Sequence, residues 1–191
     1  TTRDLGRPLN AAIYGEPSIK AITMAEAMLN DGQRLLAFND LFIGMRSHVS
    51  ARYRIEVDGA SETQSSSGII ISTGAGSTGW LKSVHTGAAR VIGVHSNKKS
   101  DTENGRFAWD ADHLVYVVRE PWPSKSTGAT LVYGSISRDQ PLIVKSEMAD
   151  GGVIFSDGVE SDYLGFTAGL TATVRVSEKK AQLVIKTIYG N

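Results

Sequence analysis

Ser67-Gly-Ile-Ile-Ile-Ser-Thr-Gly-Ala-Gly-Ser-Thr-Gly-Trp80 changes character at its midpoint. Ile69 to Ser72 is an apolar, β-branched run, the signature of a buried strand, and it stops at glycines. Gly74-Ala75-Gly76-Ser77-Thr78-Gly79 is a loop nearly bare of side chains, after which Trp80-Leu81-Lys82-Ser83-Val84 can open a helix. Glycine at this density lets backbone approach a ligand, and Ser77 or Thr78 can cap the helix and present a hydroxyl beside free N–H groups. A strand, a bare loop, a hydroxyl pair and a helix start make a place for a polar ligand.

Gly74-x-Gly76-x-x-Gly79 also matches the dinucleotide fingerprint, with Asp101 about 20 residues beyond the loop. That fingerprint needs a strand, a crossover helix and a second parallel strand, whereas the flanking chain reads as antiparallel strands joined by turns. A P-loop is excluded because no Lys precedes Ser77. A structural turn is the alternative to a phosphate or nucleotide loop.

The flanking pattern is repeatedly that of short strands. Ile19 to Leu29 balances helical propensity against a strand setting and is assigned to strand; Asn30-Asp31-Gly32 is a turn. Leu35 to Ile43 is expected as one central strand interrupted by Asn39-Asp40, two polar residues that need partners or a ligand, or else mark a bulge. Ser50 to Val57 alternates, with Ala51, Tyr53, Ile55 and Val57 toward a core and Arg52, Arg54 and Glu56 toward water. Asp58-Gly59 is a tight hairpin turn into a polar edge strand, Ala60 to Ser66.

Past the loop, the spacing predicts a helix over Trp80 to Ala89 carrying a surface His85, then a charged surface loop from Ser96 to Gly105. His113 to Arg119 is apolar on both faces and belongs inside a sheet. Pro121-Trp122-Pro123 ends it, with the indole expected to pack on the core edge and a pocket wall as the alternative. Further strands are predicted at Thr130 to Tyr133, Pro141 to Lys145, Val153 to Phe155, Thr171 to Val176 and Ala181 to Ile188. Asp150-Gly-Gly152 reads as a hairpin turn, and the last two strands read as a hairpin across Ser177-Glu-Lys-Lys180. Many short, turn-separated strands predict a mainly β fold: a two-layer antiparallel sandwich with one short helix after the glycine-rich loop.

Composition narrows the function classes. With 191 residues, 41% hydrophobic and 21% charged, the chain suits one soluble domain, 1–191. Lys plus Arg equals Asp plus Glu at 20 each, so no global field recruits nucleic acid or a membrane surface. The absence of cysteine excludes disulfides and thiolate zinc sites and fits a reducing compartment. His48, His85, His95 and His113 lack paired metal-ligand spacing, and no apolar run reaches membrane-spanning length.

Ile71-Ser-Thr-Gly-Ala-Gly-Ser-Thr-Gly-Trp80 resembles the Ser-Thr-Pro-Thr-Gly-Ser-Thr-Ala-Tyr signature of the NAD kinases. Ala37-Phe-Asn-Asp-Leu-Phe-Ile43 resembles their Ala-Leu-Asn-Glu motif, and Val153-Ile-Phe-Ser-Asp-Gly158 falls where they have an apolar strand ending in Asp-Gly. Gly74 stands in place of Pro, Gly79-Trp80 in place of Ala-Tyr, and Ser67 where many members have Asp, a form more like a divergent, mitochondrial-type branch. The resemblance runs from about Ile19 to Ile188 and covers only the C-terminal half of such an enzyme. The half carrying Gly-Gly-Asp-Gly, which holds ATP phosphates and the base, has no counterpart, and with Thr1 as first residue the chain is expected to be a fragment.

The resemblance implies NAD as substrate, with ATP and Mg entering through the other half, and no catalytic or metal-binding residue in this chain. It implies a dinucleotide site drawn from Asn39, Asp40, Ser67, Thr73, Ser77, Thr78, Gly79, Trp80 and Ser83. It further implies a homo-oligomer in the cytoplasm, or in the mitochondrial matrix if eukaryotic. The alternatives are a non-catalytic nucleotide-binding or oligomerisation module, and a lipid kinase of the same superfamily with an acyl cavity.

Overall fold

The computed structural model describes residues 9–10, 13, 18–96 and 105–185. Two six-stranded antiparallel sheets face each other. The first runs in the order β2 (Arg34–Ala37), β1 (Ser18–Leu29), β12 (Thr171–Ile185), β9 (Leu142–Ser146), β4 (Ala51–Val57), β5 (Ala60–Ser66). The second runs β11 (Tyr163–Gly165), β10 (Gly152–Ser156), β3 (Asp40–Met45), β6 (Ile69–Ser72), β7 (Leu114–Val118), β8 (Tyr133–Ile136). The predicted two-layer sandwich is the observed architecture. Helix α1 (Trp80–Ser96) lies outside the second sheet and is longer than predicted, since Gly87 and Gly93 weaken a helix without ending it.

Pleat and volume explain the layering. Small residues of the first sheet, Ala25, Ala27, Ala37 and Ala172, share one buried cluster with Leu41, Ile43, Ile69 and Ile71 of the second, so large side chains fill what small ones leave. β4 alternates as read, with Tyr53 and Ile55 fully buried and the arginines exposed. Asp58 and Gly59 both have positive φ, 51° and 75°, the geometry a two-residue hairpin between paired strands requires. β6, read as buried, pairs with β3 and β7 at the sheet's centre.

Several expectations fail for a common reason: long-range partners overrule local pattern. Leu35 to Ile43 is not one interrupted strand. The chain leaves the first sheet after β2 and enters the second at β3, crossing through Phe38 and Asn39. Thr171 to Ile185 is one strand rather than a hairpin, paired to β1 along its length. Ser177-Glu-Lys-Lys180 forms a bulge in it: the register passes from Ala25 opposite Val176 to Thr23 opposite Lys180. Arg138 donates to the Ser177 carbonyl at 3.0 Å, and Lys180 Nζ donates to Thr23 Oγ1 at 2.7 Å, absorbing the polarity that reads as a turn.

Asp150-Gly-Gly152 joins strands of different sheets, so it is a crossover and not a hairpin. The strand predicted at Thr130 begins instead at Tyr133. The Glu62 carboxylate takes the N–H groups of Thr130 and Leu131, at 2.9 and 2.8 Å, drawing that backbone out of the ladder. β11 has no sequence signal. Trp122 is 69% exposed rather than packed on the core edge. The predicted loop at Ser96 to Gly105, the strand end at 186–188 and Asp101 lie largely or wholly outside the described residues.

Candidate functional site

The crossover from β2 to β3 is tied down by a residue far along the chain. β10 ends in a turn at Asp157-Gly158, both with positive φ, 53° and 73°. The Asp157 carboxylate accepts N–H bonds from Phe38 (2.9 Å), Asn39 (2.6 Å) and Asp40 (3.2 Å). In return the Asp157 N–H donates to the Asp40 carbonyl at 2.9 Å. Three donors that leave the ladder at the crossover are thereby satisfied.

The glycine-rich loop is locked onto the same crossover. Thr73 donates its N–H to the Asn39 carbonyl at 2.9 Å and its hydroxyl to the Phe38 carbonyl at 2.6 Å, and Thr73 Oγ1 accepts from Gly76 N–H at 3.2 Å. Ser77 does not cap α1; its buried hydroxyl donates to the Gly74 carbonyl at 2.8 Å. The glycines serve the protein's own packing here. A Cβ at Gly76 would strike the Asn39 carbonyl and lie 2.7 Å from Asp40 Oδ1, and one at Gly74 would strike the Ala108 carbonyl. Gly79 alone has room, its nearest neighbour at 3.4 Å.

Between crossover, loop and turn lies a cleft of about 330 Å³ lined by Asn39, Asp40, Gly76, Thr78, Gly79, Trp80, Asp157 and Gly158 with Ala75. Asp40 is its chemical centre. Oδ1 is buried and has no partner among the described residues. Burial pushes this carboxyl up to about 6; a Ser72 hydrogen bond opposes the shift and the Asp157 charge adds to it. This oxygen lies against the Gly76 backbone, behind the surface of the cleft that Asp40 lines.

Of the residues named from sequence, Asn39, Asp40, Thr78, Gly79 and Trp80 come together in this cleft. Thr73 and Ser77 lie buried behind it and hold the loop. Ser67 lines a second, wider cleft of about 550 Å³ on the outer face of the second sheet, which Trp80 also lines. Ser83 is exposed on α1 and lines neither cleft. Asp157 and Gly158 were visible only as a motif end; an Asp-Gly turn announces a loop, and its carboxylate's reach back to Asn39 has no local signature. The wide cleft's Phe42, Phe155 and Arg119 read in sequence as ordinary strand residues.

Among the described residues no group of three or more His, Asp or Glu side chains could hold a metal ion, and no helix is long and apolar enough to cross a membrane. No family model matches the chain, and no curated protein matches it by sequence. Among solved structures the chain is similar to yeast NADH kinase complexed with NADH, with a TM-score of 0.66 and 14% identity, over 97% of this chain and 49% of that one. The chain thus shares the fold of yeast NADH kinase and spans about half that protein's length.

Proposed function

We propose that this chain is the dinucleotide-binding domain of a NAD kinase, an enzyme that transfers the ATP γ-phosphate to the 2′-hydroxyl of the adenosine ribose of NAD. The observation that carries the reading is the convergence of Asn39-Asp40, Thr78-Gly79-Trp80 and Asp157-Gly158 on one cleft. A fold shared with a kinase complexed with NADH supports it.

In this reading Asn39 and Asp40 hydrogen-bond the ribose hydroxyls, Thr78 adds a hydroxyl at the rim, and Trp80 offers its face to a base. Gly79 admits the ligand closely, while Thr73 and Ser77 act by holding the loop. Ser67 and Ser83 have no contact role in the narrow cleft. Phosphoryl transfer depends on positioning and charge neutralisation, so a rigid acceptor pocket is one of its two separable halves.

The donor half, with ATP and its Mg, is assigned to a segment beyond this chain. The local donors do not fit a magnesium ion: Asp157 spends both oxygens on backbone N–H groups, and Asp40 Oδ1 is buried behind Gly76. The domain by itself therefore binds NAD without phosphorylating it.

Calorimetric titration with NAD and NADH tests this. Saturable binding is expected, weakened about tenfold or more by Asn39→Ala and less by Thr78→Val, each removing hydrogen bonds to a ligand. Absence of binding, or wild-type affinity in both variants, would overturn the site. NADP formation from NAD, ATP and Mg by this chain unaided would overturn the division into halves.

A further inference from the structure

Trp80 is shared by the two clefts, and its indole meets both an aromatic ring and a guanidinium. It stacks on Phe42, centroids 5.6 Å apart and planes at 11°, and Phe42 continues the stack to Phe155 at 4.8 Å and 29°. Phe42 has nowhere to retreat, because its ring lies on bare backbone: a Cβ at Gly44 or Gly68 would meet it at 2.5 or 2.6 Å. Arg119 also lies over the ring, its guanidinium carbon 5.5 Å from the indole centroid.

Arg119 is itself on a fixed stem. Its N–H donates to the Gly68 carbonyl at 2.8 Å and its carbonyl accepts from Ser67 N–H at 2.9 Å, continuing the ladder one residue past β7. Glu120 then turns the chain away with a φ of 44°. Its carboxylate is only loosely paired with Arg119, at 3.8 Å, so the guanidinium is left to the ring face.

Trp80 also packs on the edge of the buried cluster that holds Ile70, Leu81 and Val117. Trp80 opens α1 directly after Gly79, and its side chain is half-buried. We propose that Arg119 is a positioning residue of the site: together with Phe42 it clamps the Trp80 indole, so that the ring stands as a preset wall between the narrow polar cleft and the wide aromatic one. The proposal rests on the reading of the narrow cleft as a nucleotide site. A base that stacks on a wall already ordered forgoes the entropic cost of ordering it. Lys at this position keeps the charge but loses the flat face that lies over the ring.

The test uses the full chain carrying Trp109→Phe and Trp122→Phe, so that Trp80 is the sole indole. Without ligand, Arg119→Ala is expected to raise acrylamide quenching and lower the anisotropy of Trp80, with Arg119→Lys intermediate and Phe42→Leu similar to Arg119→Ala. Calorimetry with NADH is expected to show affinity reduced about three- to tenfold in Arg119→Ala and partly restored in Arg119→Lys, in keeping with one lost cation–π contact. Should Arg119→Ala fail to fold, Arg119→Gln carries the same expectation. Unchanged quenching and anisotropy overturn the clamp, and a loosened indole with wild-type affinity overturns its role in binding. No NADH binding by the parent chain would instead sink the nucleotide reading and the ligand half of this proposal together, while the quenching data still judge the clamp.

Discussion

Asn39 and Asp157, separated by 118 positions, meet through a 2.6 Å hydrogen bond from the Asn39 N–H to the Asp157 carboxylate. The same carboxylate holds Phe38 and Asp40, so one side chain of the second sheet's β10 turn fixes the only segment that carries the chain from β2 to β3. The floor of the cleft and the junction between the sheets are one structure.

Asp157→Ala should therefore cost stability as well as ligand affinity. The site is partly solvated, so water replaces some of the lost acceptor, and the expected loss is about 1–2 kcal/mol. Asp157→Asn, which keeps one acceptor oxygen, should cost about half as much. Urea denaturation measures both, and an unchanged midpoint in the alanine variant would show that the crossover holds without its carboxylate.

The Asp40 carboxyl makes stability depend on pH. Its folded value, about 6, lies above the ordinary 3.8, so the native state keeps a proton that the unfolded chain has released. Stability is then highest below about pH 4, declines as pH rises toward 6, and is level above that. Allowing for partial solvation, the decline is about 1–2 kcal/mol. Asp40→Asn should remove this component, gain about 1 kcal/mol at pH 7 and weaken dinucleotide binding, the trade expected of a residue kept for function. Thermal melts from pH 4 to 7 compare the two slopes; parallel curves would contradict the assignment.

Gly76→Ala tests whether the loop's glycines serve packing. The added methyl would strike the Asn39 carbonyl and crowd Asp40 Oδ1, and neither backbone nor buried carboxyl can yield cheaply. A loss of about 2–4 kcal/mol is expected, whereas Gly79→Ala, whose methyl would meet only the Gly76 carbonyl oxygen at 3.4 Å, should cost less. Similar melting temperatures for both variants would count against the close approach.

Self-association is a further expectation. The wide cleft leaves Phe42, Phe155, Trp80 and Tyr163 as its aromatic lining, with Tyr163 and Val49 exposed at its rim. Apolar surface of this kind is commonly covered by a second subunit. Light scattering across a concentration series should give a mass above that of the 20.5 kDa chain, and a constant monomer mass would reject the idea.

Much of this protein is set by near neighbours in sequence. Period-two alternation places Tyr53 and Ile55 inside and Arg52 and Arg54 outside, Asp58-Gly59 turns because both residues accept positive φ, and a β-branched run ending in glycines makes a buried strand and a loop. Those are local consequences of backbone sterics and side-chain polarity, so they are legible without the fold. Which sheet receives each strand is not. Leu35 to Ile43 divides between two sheets because the Asp157 carboxylate captures its N–H groups, and Ser177 to Lys180 bulges instead of turning because β1 supplies a partner on both sides. The roles of Gly74 and Gly76, the burial that raises the Asp40 carboxyl and the contacts among Arg119, Trp80, Phe42 and Phe155 likewise arise from residues brought together only when the two sheets close. Contacts at that separation leave no period in the sequence, since pleat and helix repeat act over a few residues while packing acts across the whole sandwich.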